Sequence, residues 1–175
     1  GWQQMHKAVT PLARYEHIVS SPMQRCYLFA LEIAQKSQLP LTTNKQLKEI
    51  SFGDWDGKLF AEIRLNDPER FAGFWRNPLL NTPPNGEPLT HFSERVTQAF
   101  LQEVEIHKGK HVLMIVHGGV IKALIAHIMQ SSVQAMMRVD VPYACKSRVK
   151  IYHDNDGDWL QLVSHNHFLT SNNNE

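Results

Sequence analysis

The chain has 175 residues, 42% of them apolar and 20% charged, and its 18 Lys and Arg against 17 Asp and Glu leave a formal net charge of +1. Those values fit one soluble globular domain, with no long-range field to recruit nucleic acid or an anionic membrane surface. No apolar run approaches the roughly 18 residues of a spanning helix, and two cysteines outside any C-x-x-C pair, Cys26 and Cys145, read as reduced thiols of a cytoplasmic protein with no metal site.

In chain order, Trp2, Met5, Ala8, Val9 and Leu12 recur at helical spacing and predict an uncapped opening helix. Ile18 and Val19 make a short strand. In Ser20-Ser21-Pro22-Met23-Gln24-Arg25, Ser21 suits an N-cap, Pro22 the first helical position and Gln24 the reaching partner of a capping box. Tyr27, Ala30, Leu31 and Ala34 then share a helix face, and Pro40 lies beyond its end. From Leu41 to Pro88 the periodicity weakens. Gly53-Asp54-Trp55-Asp56-Gly57 is a turn-rich loop, and Leu59 to Phe74 holds one or two short helices. Pro78, Pro83, Pro84, Asn85, Gly86 and Pro88 mark an irregular stretch of the kind that covers sites. Phe92, Val96, Ala99, Phe100 and Val104 restore a helix. The run Val112 to Val116 is a buried, parallel-type strand, and an apolar helix begins just after His117-Gly118-Gly119. Arg148 to His153 and Trp159 to Ser164 flank Asn155-Asp156-Gly157 as a hairpin, and Ser171 to Glu175 read as a disordered tail. The sum is an α/β three-layer sandwich: a mostly parallel central sheet, helices on both faces, and an antiparallel hairpin near one edge, all in one domain over residues 1–170.

Chemistry gathers at two strand-to-helix junctions. His117 stands at the carboxyl end of a strand, beside the free N–H groups that open a helix and favour an anion. Ligands of open α/β sheets bind at those strand ends. Arg25 lies in the first turn of its helix, where a cation is disfavoured by about 0.3–1 kcal/mol unless an anion sits between it and the N–H groups. If both junctions face one edge, Arg25, His117 and the N–H of Gly118 form an oxyanion pocket containing a titratable group. Glu49 sits in an aromatic loop, where a carboxyl held against Phe52 or Trp55 would be raised in pKa, as a general acid needs. On these residues alone His117 is the candidate nucleophile.

Four segments, taken in order, resemble the histidine phosphatase superfamily, also called phosphoglycerate-mutase-like. Ser20 to Arg25 resembles its S-S-P-L-x-R segment, and Leu47-Lys48-Glu49 with Gly53 to Gly57 its L-x-E…G-x-W-E-G segment. Pro83-Pro84-Asn85-Gly86-Glu87 looks like its P-x-G-E-S loop, with Pro88 in place of serine, and Val116 to Gly119 like S-H-G-G. Within the superfamily, Asn77-Pro78, the segment Thr82 to Gly86 and the C-terminal hairpin look most like the α-ribazole phosphatases of cobalamin synthesis. The resemblance implies a metal-independent, cofactor-free phosphomonoesterase acting on α-ribazole 5′-phosphate or a cobamide 5′-phosphate. It makes Glu49 the proton donor, with Arg25, His117 and Gly118 binding phosphate. Its alternatives are a mutase or sugar-phosphate phosphatase, and a degenerate member that binds a phosphorylated ligand or a partner protein. The family's nucleophile lies in an R-H-G motif absent from these residues, so the resemblance places it upstream of Gly1 and makes His117 a stabiliser. It also sets an expectation that the absent strand lies between the strands ending near Val19 and Val116, and that residues 1–175 alone fold poorly.

Overall fold

The computed structural model describes residues 2–155 and 157–166, so the predicted tail lies outside the described residues. The chain runs α1 (Trp2–Val9), β1 (His17–Ser20), α2 (Gln24–Ser37), β2 (Leu41–Thr43), α3 (Phe60–Asn66), α4 (Pro68–Arg76), α5 (Leu89–Ile106), β3 (Val112–Ile115), α6 (Gly118–Ile128), β4 (Ser147–Asp154) and β5 (Gly157–His165). Strands β2, β1 and β3 form a parallel sheet in that order, and β4 and β5 form a separate antiparallel pair.

Alternation along short apolar strands produces the layers. Ile18, Leu41, Leu113 and Ile115 pack on one face with Phe29, Ala30 and Ile33 of α2 and Val9 of α1. Val19, Val112 and Met114 point the other way, onto Phe92, Val96 and Ala99 of α5 and Val120 and Ala123 of α6. Ile18, Val19, Phe92 and Val120 are fully buried, and burying a side chain of this size is worth about 1.5–3 kcal/mol. A strand covered on both faces tends to be apolar throughout, which makes β3 legible as a continuous run, whereas β1 shows only Ile18 and Val19 between a buried histidine and a buried serine.

Two expectations require correction. Helix α2 starts at Gln24, with Met23 rather than Ser21 at its N-cap, and its buried face is Cys26, Phe29, Ala30, Ile33 and Ala34 rather than one through Tyr27 and Leu31. The second concerns the sheet. β1 pairs directly with β3, His17 opposite Val112 and Ser20 opposite Ile115, so no strand fits between those two. β3 is an edge strand of the described sheet, paired on one side only. A cavity of about 1870 Å³ is lined by Val112–Val116 and by Ser147–Ile151 of β4, with Met5 and Val9 of α1 also in its walls.

Candidate active site

The parallel register brings the carboxyl ends of β1 and β3 side by side. The chain leaving β1 turns through Ser21 and Pro22 into α2, and that leaving β3 turns through Val116 and His117 into α6. Arg25 and His117 therefore converge: Arg25 Nε donates to His117 Nδ1 at 3.1 Å. A ring nitrogen that accepts from a guanidinium carries no proton, which assigns the proton of the neutral imidazole to Nε2. That nitrogen lies 2.7 Å from Ser21 Oγ, which also accepts the N–H of Met23 at 3.3 Å. Ser21 is thus spent on orienting the imidazole and the turn rather than on capping a helix.

His117 is buried. Its pKa is lowered to about 4, first by that burial and then by the charges of Arg25 and Arg95, so the ring is neutral near pH 7. Cys26 Sγ sits 3.5 Å from Nδ1 and 3.6 Å from Nε2. Burial pushes that thiol up to about 11, which keeps it protonated and a poor nucleophile. Arg25 is exposed, and among the described residues neither of its terminal amino groups has a partner.

Glu49 enters from a segment with no regular structure, between a 3-10 turn ending at Leu47 and another starting at Gly53. Its carboxylate accepts the N–H of Gly119 at 3.1 Å and that of Ile50 at 3.1 Å. The contacts that fix it are therefore backbone N–H groups, one of them in the first turn of α6. Glycine at 119 lets the carboxylate come this close, because a Cβ there would stand 2.2 Å from Glu49 Oε1 and push it away. Arg25, Glu49, His117, Gly118 and Gly119 all line the cavity of about 1870 Å³, which brings together the site residues expected from the sequence.

The two loops flagged as motifs hold each other. Gly53 has φ +58°, and a Cβ there would lie 2.2 Å from Pro84 O, so only glycine permits this approach. Asp54 donates its N–H to Pro84 O at 2.9 Å, and Asn85 Nδ2 donates to Asp54 Oδ1 at 3.0 Å. Trp55 anchors the loop, buried edge-on against Phe74 at 5.8 Å between ring centroids. Sequence reasoning overlooked Ser21 as a histidine partner, Cys26, and Arg95. The last stands at helical spacing from Phe92 and Ala99, between buried positions, a placement that could have marked it as a cation with buried work to do.

A cation, a neutral imidazole and a carboxylate bound to a helix-opening N–H line one cavity of this α/β fold, groups of the kind that can hold an anion. The chain belongs to the histidine phosphatase superfamily, branch 1, whose profile matches residues 1–167. It is 30% identical over 172 residues to a bifunctional protein of Mycobacterium tuberculosis, covering 97% of this chain and 47% of that protein. The chain thus spans about half the length of such relatives. It is 26% identical over 137 residues to the adenosylcobalamin/alpha-ribazole phosphatase of Escherichia coli, covering 78% of this chain and 68% of that one. Among solved structures it is similar to YhfR of Bacillus stearothermophilus, with a TM-score of 0.79 and 28% identity over 95% of this chain and 85% of that one. The alpha-ribazole phosphatase of Shigella flexneri shares the fold, with a TM-score of 0.78 at 24% identity over 92% of this chain and 80% of that one. No described helix is long and apolar enough to cross a membrane.

Proposed function

We propose that this chain forms most of a phosphomonoesterase that works through a phosphohistidine, with the attacking imidazole in a segment before Gly1. The observation that carries the reading is the engagement of His117. Its Nδ1 lone pair accepts from Arg25, and its Nε2 lies on Ser21, so neither nitrogen offers a free lone pair to phosphorus. Such a histidine suits a donor role: its Nε2–H can pass from Ser21 Oγ to a phosphoryl oxygen. The cavity between β3 and β4 supports the rest of the reading. An extended segment seated there parallel to β3 would end beside His117 and could present the nucleophile.

In the forward step the incoming imidazole attacks phosphorus while Glu49 protonates the departing alkoxide. Water then attacks the phosphohistidine and gives its proton to the same carboxylate. Arg25, His117 and the N–H of Gly118 carry the negative charge on the equatorial oxygens, the positioning and charge stabilisation that phosphoryl transfer needs. These fixed donors supply the role a metal would otherwise fill.

For the ester, an alcohol that carries a planar aromatic base, such as that of α-ribazole 5′-phosphate, has a supporting feature. Phe52, Phe60, Phe74 and Trp75 line the same cavity, and Phe60 and Trp75 form an edge-on pair at 5.8 Å while both stay half-exposed. One observation favours a second reading, an ester with another anionic group, such as a phosphoglycerate or sugar phosphate. A neighbouring cavity of about 640 Å³ is lined by Arg25, Lys45 and Lys48.

Brief exposure of the protein, complete with its preceding segment, to ³²P-labelled substrate tests the mechanism. The expected result is an acid-labile label on a peptide upstream of Gly1, formed slowly but still formed in His117→Ala. A label on the His117 peptide reverses the assignment, and no label with intact ligand binding favours a non-catalytic member.

A further inference from the structure

We infer that Arg95 is the positioning residue for Glu49, holding the loop that presents the carboxylate to the leaving group. The inference rests on the reading of Glu49 as the proton donor.

Residues 48–52 lie in neither a helix nor a strand, so no ladder of hydrogen bonds fixes the backbone from which Glu49 projects. Arg95, reaching out from α5, replaces that ladder. Its Nη1 donates to the carbonyls of Gln46 and Lys48, the latter at 3.0 Å, and its Nη2 donates to the carbonyl of Glu49 itself at 3.3 Å. The guanidinium is held in turn by Glu87, whose carboxylate accepts from Nε at 2.6 Å and from Nη2 at 2.8 Å. Glu87 also donates its N–H to Ser51 O at 2.8 Å, fastening the far side of the same loop.

Phe92 completes the link. The Arg95 guanidinium lies over its ring, 4.9 Å from the centroid, and Phe92 Cζ would be 3.4 Å from a Cβ on Gly119, whose N–H binds Glu49. One planar fork therefore sets both the loop backbone and its distance from the α6 N-terminus. A lysine cannot reproduce this, because an ammonium is a point donor without the geometry of a bidentate fork. Arg95 need not touch the ester: it acts through Glu49.

The test uses Arg95→Lys, Arg95→Met, Glu49→Gln and the double variant Arg95→Met/Glu49→Gln in the protein with its preceding segment. Each is assayed on p-nitrophenyl phosphate and on glycerol phosphate, with inhibition by inorganic phosphate and a thermal melt. Misplacing a catalytic group by about 1 Å costs on the order of 10²-fold. Both Arg95 variants should therefore lose about that much kcat on glycerol phosphate, whose alkoxide must be protonated. On the aryl ester they should lose little, and inhibition by phosphate should be unchanged because Arg25 and His117 are intact. In the double variant, adding Glu49→Gln should cost nothing further on the alkyl ester. Equal losses on the two esters, additive losses in the double variant, or the absence of a cooperative melt in both Arg95 variants would make Arg95 a structural staple only. If Glu49→Gln itself fails to discriminate between the esters, the assignment of Glu49 falls, and the role of Arg95 falls with it.

Discussion

Gly119→Ala separates the placement of Glu49 from the stability of the fold. The added Cβ would lie 2.2 Å from Glu49 Oε1, 3.1 Å from its Cδ and 3.4 Å from Phe92 Cζ. Non-bonded heavy atoms settle at roughly 3.5 Å or beyond, so the oxygen must retreat by about 1 Å. The retreat falls on the end of a flexible side chain and leaves the α6 backbone where it is. It breaks or stretches the 3.1 Å bond from Gly119 N–H to Oε2, and a displacement of that size costs about 10²-fold in rate. The helix does not suffer, since alanine is favoured over glycine within a helix by about 0.5–1 kcal/mol. Kinetics on an alkyl and an aryl phosphate beside a thermal melt should therefore show a large loss on the alkyl ester with an unchanged or raised Tm. Wild-type turnover of the alkyl ester would mean that Glu49 acts from elsewhere. A drop of many degrees in Tm would mean that the backbone, and not the carboxylate, gives way.

Arg25→Ala should lower kcat/KM by about 10²–10³-fold, the scale for losing one oxyanion donor, with the fold retained because the side chain is exposed; a melt and steady-state kinetics check both halves. Glu49→Gln should spare p-nitrophenyl phosphate relative to alkyl esters, measured as the ratio of their kcat values. His117 has a folded pKa of about 4, lowered by burial and then by Arg25 and Arg95, against about 6.5 unfolded. The unfolded chain therefore binds more protons between those values, and stability is lost as pH falls from about 6.5 towards 4. Allowing for solvent reaching the ring through the cavity, the loss is on the order of 1–2 kcal/mol; melts at pH 7 and 4.5 should show it in wild type and a smaller drop in His117→Gln. Gly53→Ala forces a side chain into a left-handed backbone, costing about 1–2 kcal/mol, and into Pro84 O at 2.2 Å; denaturant melts should place its total cost above that range.

What was legible in the sequence was what short-range chemistry writes there. β3 is a continuous apolar run, α6 carries a broad apolar face, and the hairpin announces itself through Asn155 and Gly157. Arg25 and His117 were readable because each sits where a strand end meets a helix start, and their meeting followed from a parallel sheet. β2 escaped notice, since Leu41–Thr43 is an edge strand with only Leu41 reaching the core. The role of Ser21 was misjudged because a serine before a proline satisfies a capping pattern locally, whereas a histidine 96 residues away claims its hydroxyl. Arg95 is hard to read for a similar reason: besides Glu87, its partners are carbonyls of a distant loop, and a carbonyl has no signature in sequence.

The order of the strands, which the sequence could not supply, decides the chemistry of the site. Neighbouring strands lie about 4.8 Å apart. Because β1 adjoins β3, the junctions carrying Arg25 and His117 are one such step apart, and a side chain closes that distance to the observed 3.1 Å. With a strand between them the junctions would be roughly twice as far apart, and Arg25 could not at once hold the imidazole and keep its terminal amino groups free. The other edge of β3 faces the cavity. A strand seated there stands one step from His117 on the side away from Arg25, so a nucleophile at its end and the arginine would flank the imidazole. A phosphoryl group in front of His117 would then meet the attacking atom from one side and the cation from the other, with Glu49 above the α6 N-terminus. The outer edge of β3 is also where the sheet has backbone N–H and C=O groups without strand partners among the described residues. A strand pairing along that edge would satisfy those groups and place its own carboxyl end beside His117.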